Sequence, residues 1–222
     1  MKELDFSTID WSEMGTATVD TLQMMGYATL FTFVLGLPLG VMLFVFSRSQ
    51  SSVLGWVYRI ISLVVNILRS VPFIILIVAL IPVTRAIMGV SSGVEGTIPP
   101  LVIGAAPFFA RLVETALREV DRGVIEACQA MGASSLQLIR KVLLPEALPG
   151  LLAGMTITVV TLVSYTAMSG MVGGGGLGDL AIRYGYYRYK SEVMLVSVIF
   201  MIILVQLLQM LGDRLVIHFT RK

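Results

Sequence analysis

Five long, uninterrupted apolar runs dominate this sequence. They cover approximately 21–46, 71–90, 98–120, 150–172 and 193–217. A membrane-spanning α-helix needs roughly 20 mostly apolar residues, because the hydrocarbon core of a bilayer is about 30 Å thick and a helix rises about 1.5 Å per residue. The runs do not alternate in polarity, as the strands of a membrane barrel do. The sequence therefore predicts an all-α integral membrane protein with five transmembrane helices in a single transmembrane domain, 1–222.

Composition excludes several other classes of protein. Hydrophobic residues make up 56% of the chain and charged residues only 14%, whereas soluble domains carry about 25% charged residues. The 16 Lys and Arg residues stand against 14 Asp and Glu residues and occur in short blocks, so no continuous basic face exists for nucleic acid. One cysteine, Cys128, and one histidine, His218, exclude an internal disulfide and the usual kind of zinc site. A soluble enzyme, a nucleic-acid-binding protein and a zinc protein are all disfavoured.

The distribution of charge predicts the orientation of the chain. Segment 1–20 has five acidic residues against Lys2, which is the wrong sign for a cleavable signal peptide. With the amino terminus outside, eleven Lys and Arg residues fall in inside segments and five in outside segments. Because positive residues are enriched in cytoplasmic loops, we expect an extracytoplasmic amino terminus and a cytoplasmic carboxyl terminus. Arg183, Arg188 and Lys190 fit this assignment least well.

The longest segment between the runs, 121–149, predicts an elbow of two short helices joined at a glycine. Gly132 suits the left-handed conformation that ends a helix, and Ser134 and Ser135 can cap the next one. Pro145 is expected to end that second helix. Long structured loops are usually functional, so we expect a cytoplasmic partner to dock here; an ordinary connecting loop is the alternative.

The elbow also carries a recognisable signature. Its pattern is Glu-Ala-Ala, three residues, Gly, nine residues, Ile, one residue and Leu-Pro, with Cys for the second Ala and Val for Ile. The chain thereby resembles the permease subunits of ABC importers. This resemblance implies a type I importer permease fold in which the elbow is a coupling helix that docks in a cleft of a cytoplasmic ATPase. The implied coupling residues are Glu126, Ala127, Cys128, Gly132, Val142, Leu144 and Pro145.

Four further stretches, 66–85, 104–117, 140–151 and 173–187, are similar to the methionine importers within that family. The resemblance implies a non-catalytic subunit in a bacterial inner membrane that forms the pathway for methionine, its D and L forms or derivatives, or another small amino acid. Implied partners are a second copy of this chain, two ABC ATPases that use ATP and Mg²⁺, an extracytoplasmic substrate-binding protein, expected to be a lipoprotein, and membrane lipid. No cofactor is expected on this chain itself.

Segment 52–69 has the pattern of an amphipathic helix. Its polar positions recur at steps of three and four, and Pro72 predicts a bend where the chain enters the bilayer. In one interpretation the helix lies at the inner membrane interface or packs on another subunit; in the other its polar face lines a water-filled pathway. The polar positions are Ser52, Gly55, Arg59, Ser62, Asn66 and Arg69.

The fourth apolar run contains a stripe of hydroxyl residues. Small and hydroxyl residues at helical spacing allow close helix packing in lipid, and they can also line a translocation pathway. Both interpretations stay open for Thr158, Thr161, Tyr165 and Ser169. No run has a carboxylate near its middle, which disfavours a secondary transporter.

A glycine-rich stretch, 173–178, lacks the Lys-Ser or Lys-Thr of a phosphate-binding loop. It predicts a tight turn at the outer mouth and no nucleotide site. The stretch ending in Asp179 also resembles the GxGD motif of intramembrane aspartyl proteases, but that chemistry needs a second facing aspartate, and Asp20, Asp121 and Asp213 all fall at the ends of runs. A secondary transporter or channel, and a membrane scaffold, are the competing classes.

Overall fold

The chain is described by a computed structural model that covers residues 9–49 and 51–220, and within these ranges it contains helices and no strand. The helices are α1 (Trp11–Ser47), α2 (Ser52–Ser70), α3 (Phe73–Ala79), α4 (Ile81–Met88), α5 (Gly93–Arg118), α6 (Arg122–Ala130), α7 (Ser135–Leu138), α8 (Leu144–Glu146), α9 (Leu148–Ser169), α10 (Gly176–Leu180) and α11 (Ser191–Thr220). The all-helical prediction is confirmed.

Five of these helices are long and apolar enough to cross a membrane: α1, α2, α5, α9 with its extension to Val172, and α11. The predicted number of spans is therefore confirmed. Helix α1 begins ten residues before the predicted run, because the Asp10 carboxylate caps it by accepting hydrogen bonds from the backbone N–H groups of Ser12 (2.9 Å) and Glu13 (3.1 Å). The acidic amino-terminal segment thus belongs partly to the first helix.

The second predicted span needs correction. Stretch 71–90 is not one helix: it holds the short helices α3 and α4, which meet at Leu80. Pro72 and Pro82 lack the N–H that a continuous helix requires, and Gly89 ends α4 in the left-handed conformation with φ of 76°. The helix of spanning length is α2, which the sequence pattern placed outside the set of spans.

Helix α2 runs antiparallel to α5 along its length, and α3 continues on the same course. The Tyr58 hydroxyl on α2 lies 3.3 Å from a Glu114 carboxylate oxygen near the end of α5, and Phe73 at the start of α3 packs beside Gly104. Segment 52–69 therefore does not lie flat at the membrane surface. The second crossing is made by α2 followed by α3, and its break at Val71 and Pro72 faces the middle of α5.

Glycines allow the long helices to approach closely. A Cβ atom at Gly40 of α1 would lie 2.5 Å from the carbonyl oxygen of Ala110 on α5, and one at Gly212 of α11 would lie 2.2 Å from the hydroxyl oxygen of Thr156 on α9. Such small-residue contacts are the usual way in which helices pack in lipid. They hold α1 on α5 and α9 on α11.

Candidate functional site

The elbow has the helix–glycine–helix form that its sequence predicts. A carboxylate oxygen of Asp121 accepts a hydrogen bond from the Val124 N–H (3.2 Å) and starts α6. Gly132 ends the turn with φ of 79°, a conformation that glycine adopts without strain. Helix α7 begins with a capping box, in which Ser134 and Gln137 each accept a hydrogen bond from the backbone N–H of the other, at 3.3 and 2.9 Å.

The second elbow helix does not end at Pro145 as expected. The backbone stays helical from α7 through a π-helical turn, Ile139–Leu143, into α8. The Leu144 N–H donates to the Ile139 carbonyl, five residues back, which widens the helix just before the residue that has no N–H. Pro145 then occupies the start of α8, a position that tolerates proline.

The elbow presents an apolar surface on the side away from the protein core. Ile125 is buried and packs in one cluster with Leu143 and Ala147. Met131 is 79% exposed and Leu136 is 56% exposed. An exposed apolar surface of this kind is typical of a docking site.

The structure places the signature residues at two levels of the elbow. Glu126 and Ala127 on α6 are exposed, as are Gly132 in the turn and Pro145 on α8, whereas Cys128, Val142 and Leu144 are half-buried. Leu144 also packs against the cluster that holds Ile125. The signature therefore divides into residues available to a partner and residues that attach the elbow to the membrane helices.

A cleft of about 610 Å³ separates the carboxyl-terminal end of α1 from the elbow. Two cations, Arg48 and Arg122, and the Glu126 carboxylate line it together with Phe44 and Leu138. No ion pair joins these three charges among the residues that the structure covers. The cleft thus combines unpaired charges with an apolar floor next to the exposed face of α6.

A buried charge network lies just above the elbow, and sequence reasoning missed it. The Glu114 side chain on α5 is 3% exposed and accepts hydrogen bonds from Arg111 (2.5 Å) and Arg118 (2.6 Å). Arg111 also donates to the Ser62 hydroxyl and to the Asn66 side-chain oxygen on α2. The available signal was the spacing of Arg111, Glu114 and Arg118 on one helix face opposite the polar face of segment 52–69.

The hydroxyl stripe of α9 divides between two environments. Thr158 and Ser169 are fully buried, and their hydroxyls donate to the carbonyls of Gly154 (2.8 Å) and Thr166 (2.7 Å). Tyr165 and Thr161 are half-buried, and Tyr165 lines a cavity beside Phe73 and Gly104. These positions favour helix packing for Thr158 and Ser169, and leave Thr161 and Tyr165 as the candidates for the pathway.

This division predicts different chemical accessibility along α9. In a Cys128→Ser background, which removes the only native cysteine, we expect Thr161→Cys to react with a small, charged thiol reagent in one conformational state of the assembled protein. Thr158→Cys, with no exposed surface, is the matched control and is expected to stay inert. The measurement is the labelled fraction by mass spectrometry in membrane vesicles. Equal inertness of both variants in every state would assign the whole stripe to packing.

The glycine-rich stretch forms a turn whose backbone is engaged within the chain. Gly173, Gly175 and Gly176 all have positive φ, and the Leu177 N–H donates to the Thr21 hydroxyl of α1 (2.9 Å). Asp179 forms an ion pair with Arg183 (3.1 Å). Asp179, the aspartate of the GxGD-like stretch, is therefore paired, among the described residues, with a cation and not with a second aspartate.

The comparisons with known proteins agree with this geometry. Residues 36–222 match the family model described as binding-protein-dependent transport system inner membrane component. The probable D-methionine transport system permease protein MetI of Vibrio cholerae is 55% identical over 90% of this chain and 89% of its own length. The D-methionine transport system permease protein MetI of Escherichia coli K12 is 52% identical over 91% of this chain and 94% of its own. A structure of the MetNI methionine ABC transporter in an inward-facing conformation superposes with a TM-score of 0.91 at 50% identity, covering 95% of this chain and 98% of that one.

Proposed function

The chain belongs to the binding-protein-dependent transport system inner membrane component family, and we propose that it is the permease subunit of an ATP-driven importer of methionine. The observation that carries this proposal is the identity of 52–55% over about nine-tenths of the chain to D-methionine permeases. The fold match to a methionine ABC transporter supports it. In this role the chain provides the membrane pathway and performs no bond-breaking chemistry.

The proposed assembly contains two copies of this chain. Five spans are too few to enclose a path for an amino acid, so a second copy completes it. Two cytoplasmic ABC ATPases dock on the exposed elbow surfaces, where Ala127 and Met131 face away from the core. The partner ATPases use ATP and Mg²⁺, and an extracytoplasmic substrate-binding protein delivers the amino acid at the outer mouth.

The contacts within the elbow explain how a docking partner would move the pathway. The Ile125 cluster attaches α6 to the inner ends of α5 and α9, and the Glu114 network ties α5 to α2. Nucleotide-driven approach of the two ATPases would then draw the two elbows together and shift the attached spans as a group. Such a change between two global states is what alternating access requires.

The proposed orientation places the elbow in the cytoplasm of a bacterium, on the inner side of its inner membrane, with the amino terminus outside. We expect a green fluorescent protein fused after Lys222 to fluoresce and an alkaline phosphatase fused at the same place to be inactive, because both report a cytoplasmic carboxyl terminus. The measurement compares the two fusions at equal expression. An active phosphatase with a dark fluorescent fusion would overturn the orientation.

The decisive experiment for the proposed function is purification of the tagged chain from its host in mild detergent, followed by reconstitution into vesicles. We expect an equimolar ABC ATPase to co-purify and ATP-dependent uptake of radiolabelled methionine after addition of the binding protein. A well-folded preparation without an ATPase, active in uptake driven by an ion gradient, would instead establish a secondary transporter.

A further inference from the structure

A cavity of about 250 Å³ lies at the break between α2 and α3. Five side chains form most of its wall: Leu68, Arg69, Phe73, Phe108 and Tyr165. They come from α2, α3, α5 and α9, so the cavity joins the broken crossing to two continuous helices. Its volume is slightly below the range of about 300–1,000 Å³ that holds drug-sized ligands, which suits a smaller molecule.

The cavity lies at the depth of the membrane centre. Helix α5 has 26 residues and spans about 39 Å, and the two α5 residues that contact this region, Gly104 and Phe108, lie near its midpoint. Because α5 crosses the bilayer, its midpoint lies close to the bilayer centre. Interrupted membrane helices commonly build solute sites at this depth.

Arg69 brings a positive charge to this depth without an acidic partner. Its side chain is exposed, its guanidinium carbon lies 5.9 Å from the centre of the Phe108 ring, and no ion pair involves it within the described part of the chain. An exposed charge near the centre of a bilayer is costly in lipid, so such residues face water or a polar ligand. The cavity beside Arg69 is the place where that ligand would lie.

Two further aromatic rings, those of Phe73 and Tyr165, line the same cavity as Arg69. The rings of Phe73 and Tyr165 stack with their centres 4.1 Å apart and their planes within 2°. A Cβ atom at Gly104 would approach the Phe73 ring to 3.2 Å, so glycine keeps this ring in place. Because Phe73 is buried, the apolar surface that this pair presents to the cavity is mainly that of the half-buried Tyr165 ring.

We propose that this cavity is a transient binding site for the amino acid during its passage, with Arg69 holding the α-carboxylate and the Phe73–Tyr165 pair holding the apolar side chain. The inference rests on the proposed function and adds the substrate contact to it. A guanidinium pairs with a carboxylate through two parallel hydrogen bonds. A thioether makes favourable contacts with aromatic rings, so methionine matches both walls.

The test uses the complete complex with its ATPase in vesicles, with saturating binding protein, and compares Arg69→Gln, Arg69→Lys and Arg59→Gln. Arg59 is the matched control, because it lies on the same helix with its guanidinium over Trp56 and outside the cavity. The probes are radiolabelled methionine and radiolabelled methioninol, in which an alcohol replaces the carboxylate. The binding protein is the same in every sample, and each variant is compared with the wild type at a probe concentration that gives measurable wild-type uptake.

We expect Arg69→Gln to lower methionine uptake by about 10- to 100-fold, the effect of losing a charge-assisted hydrogen bond, and to leave methioninol uptake unchanged. Arg69→Lys keeps the charge and loses the second parallel hydrogen bond, so its methionine uptake should fall between that of Arg69→Gln and the wild type, and Arg59→Gln should stay near wild type. Wild-type methionine uptake in Arg69→Gln would overturn the site, as would an equal loss for both probes, which marks a structural role. Absence of uptake by the wild-type complex, with all components present, would instead overturn the proposed function.

Discussion

Glu114→Ala is expected to destabilise the protein by about 3–5 kcal/mol, the usual effect of removing one partner from a buried ion pair. The Glu114 carboxylate is almost completely buried and forms ion pairs with both Arg111 and Arg118 at the carboxyl-terminal end of α5. Its loss leaves the largely buried Arg111 guanidinium without an acidic partner and frees the Tyr58 hydroxyl of α2. The measurement is the apparent Tm of the purified protein in detergent, together with the yield of assembled complex.

Glu119→Ala is the matched control for this change. Glu119 lies five residues further along the chain, just after α5. It is exposed and forms no ion pair among the described residues, so its removal should alter the Tm little. Glu114→Gln keeps the shape of the side chain and removes only its charge, and we expect it to fall between the two. An unchanged Tm in Glu114→Ala would show that the network does not hold α2 on α5.

The second large effect is expected at the turn of the elbow. Gly132→Asp should reduce coupled methionine uptake by at least about tenfold, because it adds an unpaired charge to the proposed docking surface, where desolvation of a charge costs several kcal/mol. It also places a side chain in the left-handed conformation, which aspartate, like asparagine, adopts at less cost than most residues. The measurement is uptake per ATP hydrolysed in vesicles, at equal amounts of inserted protein.

Gly132→Asn separates the two contributions. Asparagine has nearly the shape of aspartate, carries no charge and tolerates the left-handed conformation better than most residues. A Cβ atom at position 132 meets no neighbouring atom within 4 Å, so neither substitution creates a clash within the chain. We expect the asparagine variant to keep most of the uptake. Full coupling in Gly132→Asp would argue against docking at this turn.

Much of the fold could be predicted from the sequence, because membrane spans are encoded by local composition. The exception, at 52–90, has a physical cause. Helix α2 faces α5 with Ser62 and Asn66, and the regular recurrence of polar residues on that face has the pattern of an amphipathic surface helix. The following stretch is more apolar, but Pro72 and Pro82 interrupt it. A search for the most apolar stretch therefore selects 71–90, which is interrupted, and misses the continuous helix α2.

In the candidate site, too, features that depend on neighbouring residues could be predicted from the sequence, and features that depend on distant residues could not. Gly132 and the capping residue Ser134 predict the elbow from sequence, because a left-handed turn and a helix cap depend only on neighbouring residues. The Glu114 network is harder to find, since its value depends on Tyr58, Ser62 and Asn66, more than 40 positions away. The proposed role of Arg69 is equally hard to predict from sequence, because it depends on the depth in the membrane at which α2 packs against α5.

The tight contact between α1 and α5 has a mechanical consequence. Gly36 and Gly40, which touch Phe109, Ala110 and Val113 of α5, bracket Pro38, the point where α1 lacks a backbone N–H and would otherwise bend. Packing against α5 thus supports α1 at the position where its backbone hydrogen bonding is interrupted. With its 37 residues α1 is a rod of about 55 Å, so a tilt of only about 10° displaces its far end by about 10 Å. A displacement at the elbow end of α1 would therefore be carried along the helix to the region where Thr21 contacts the glycine turn.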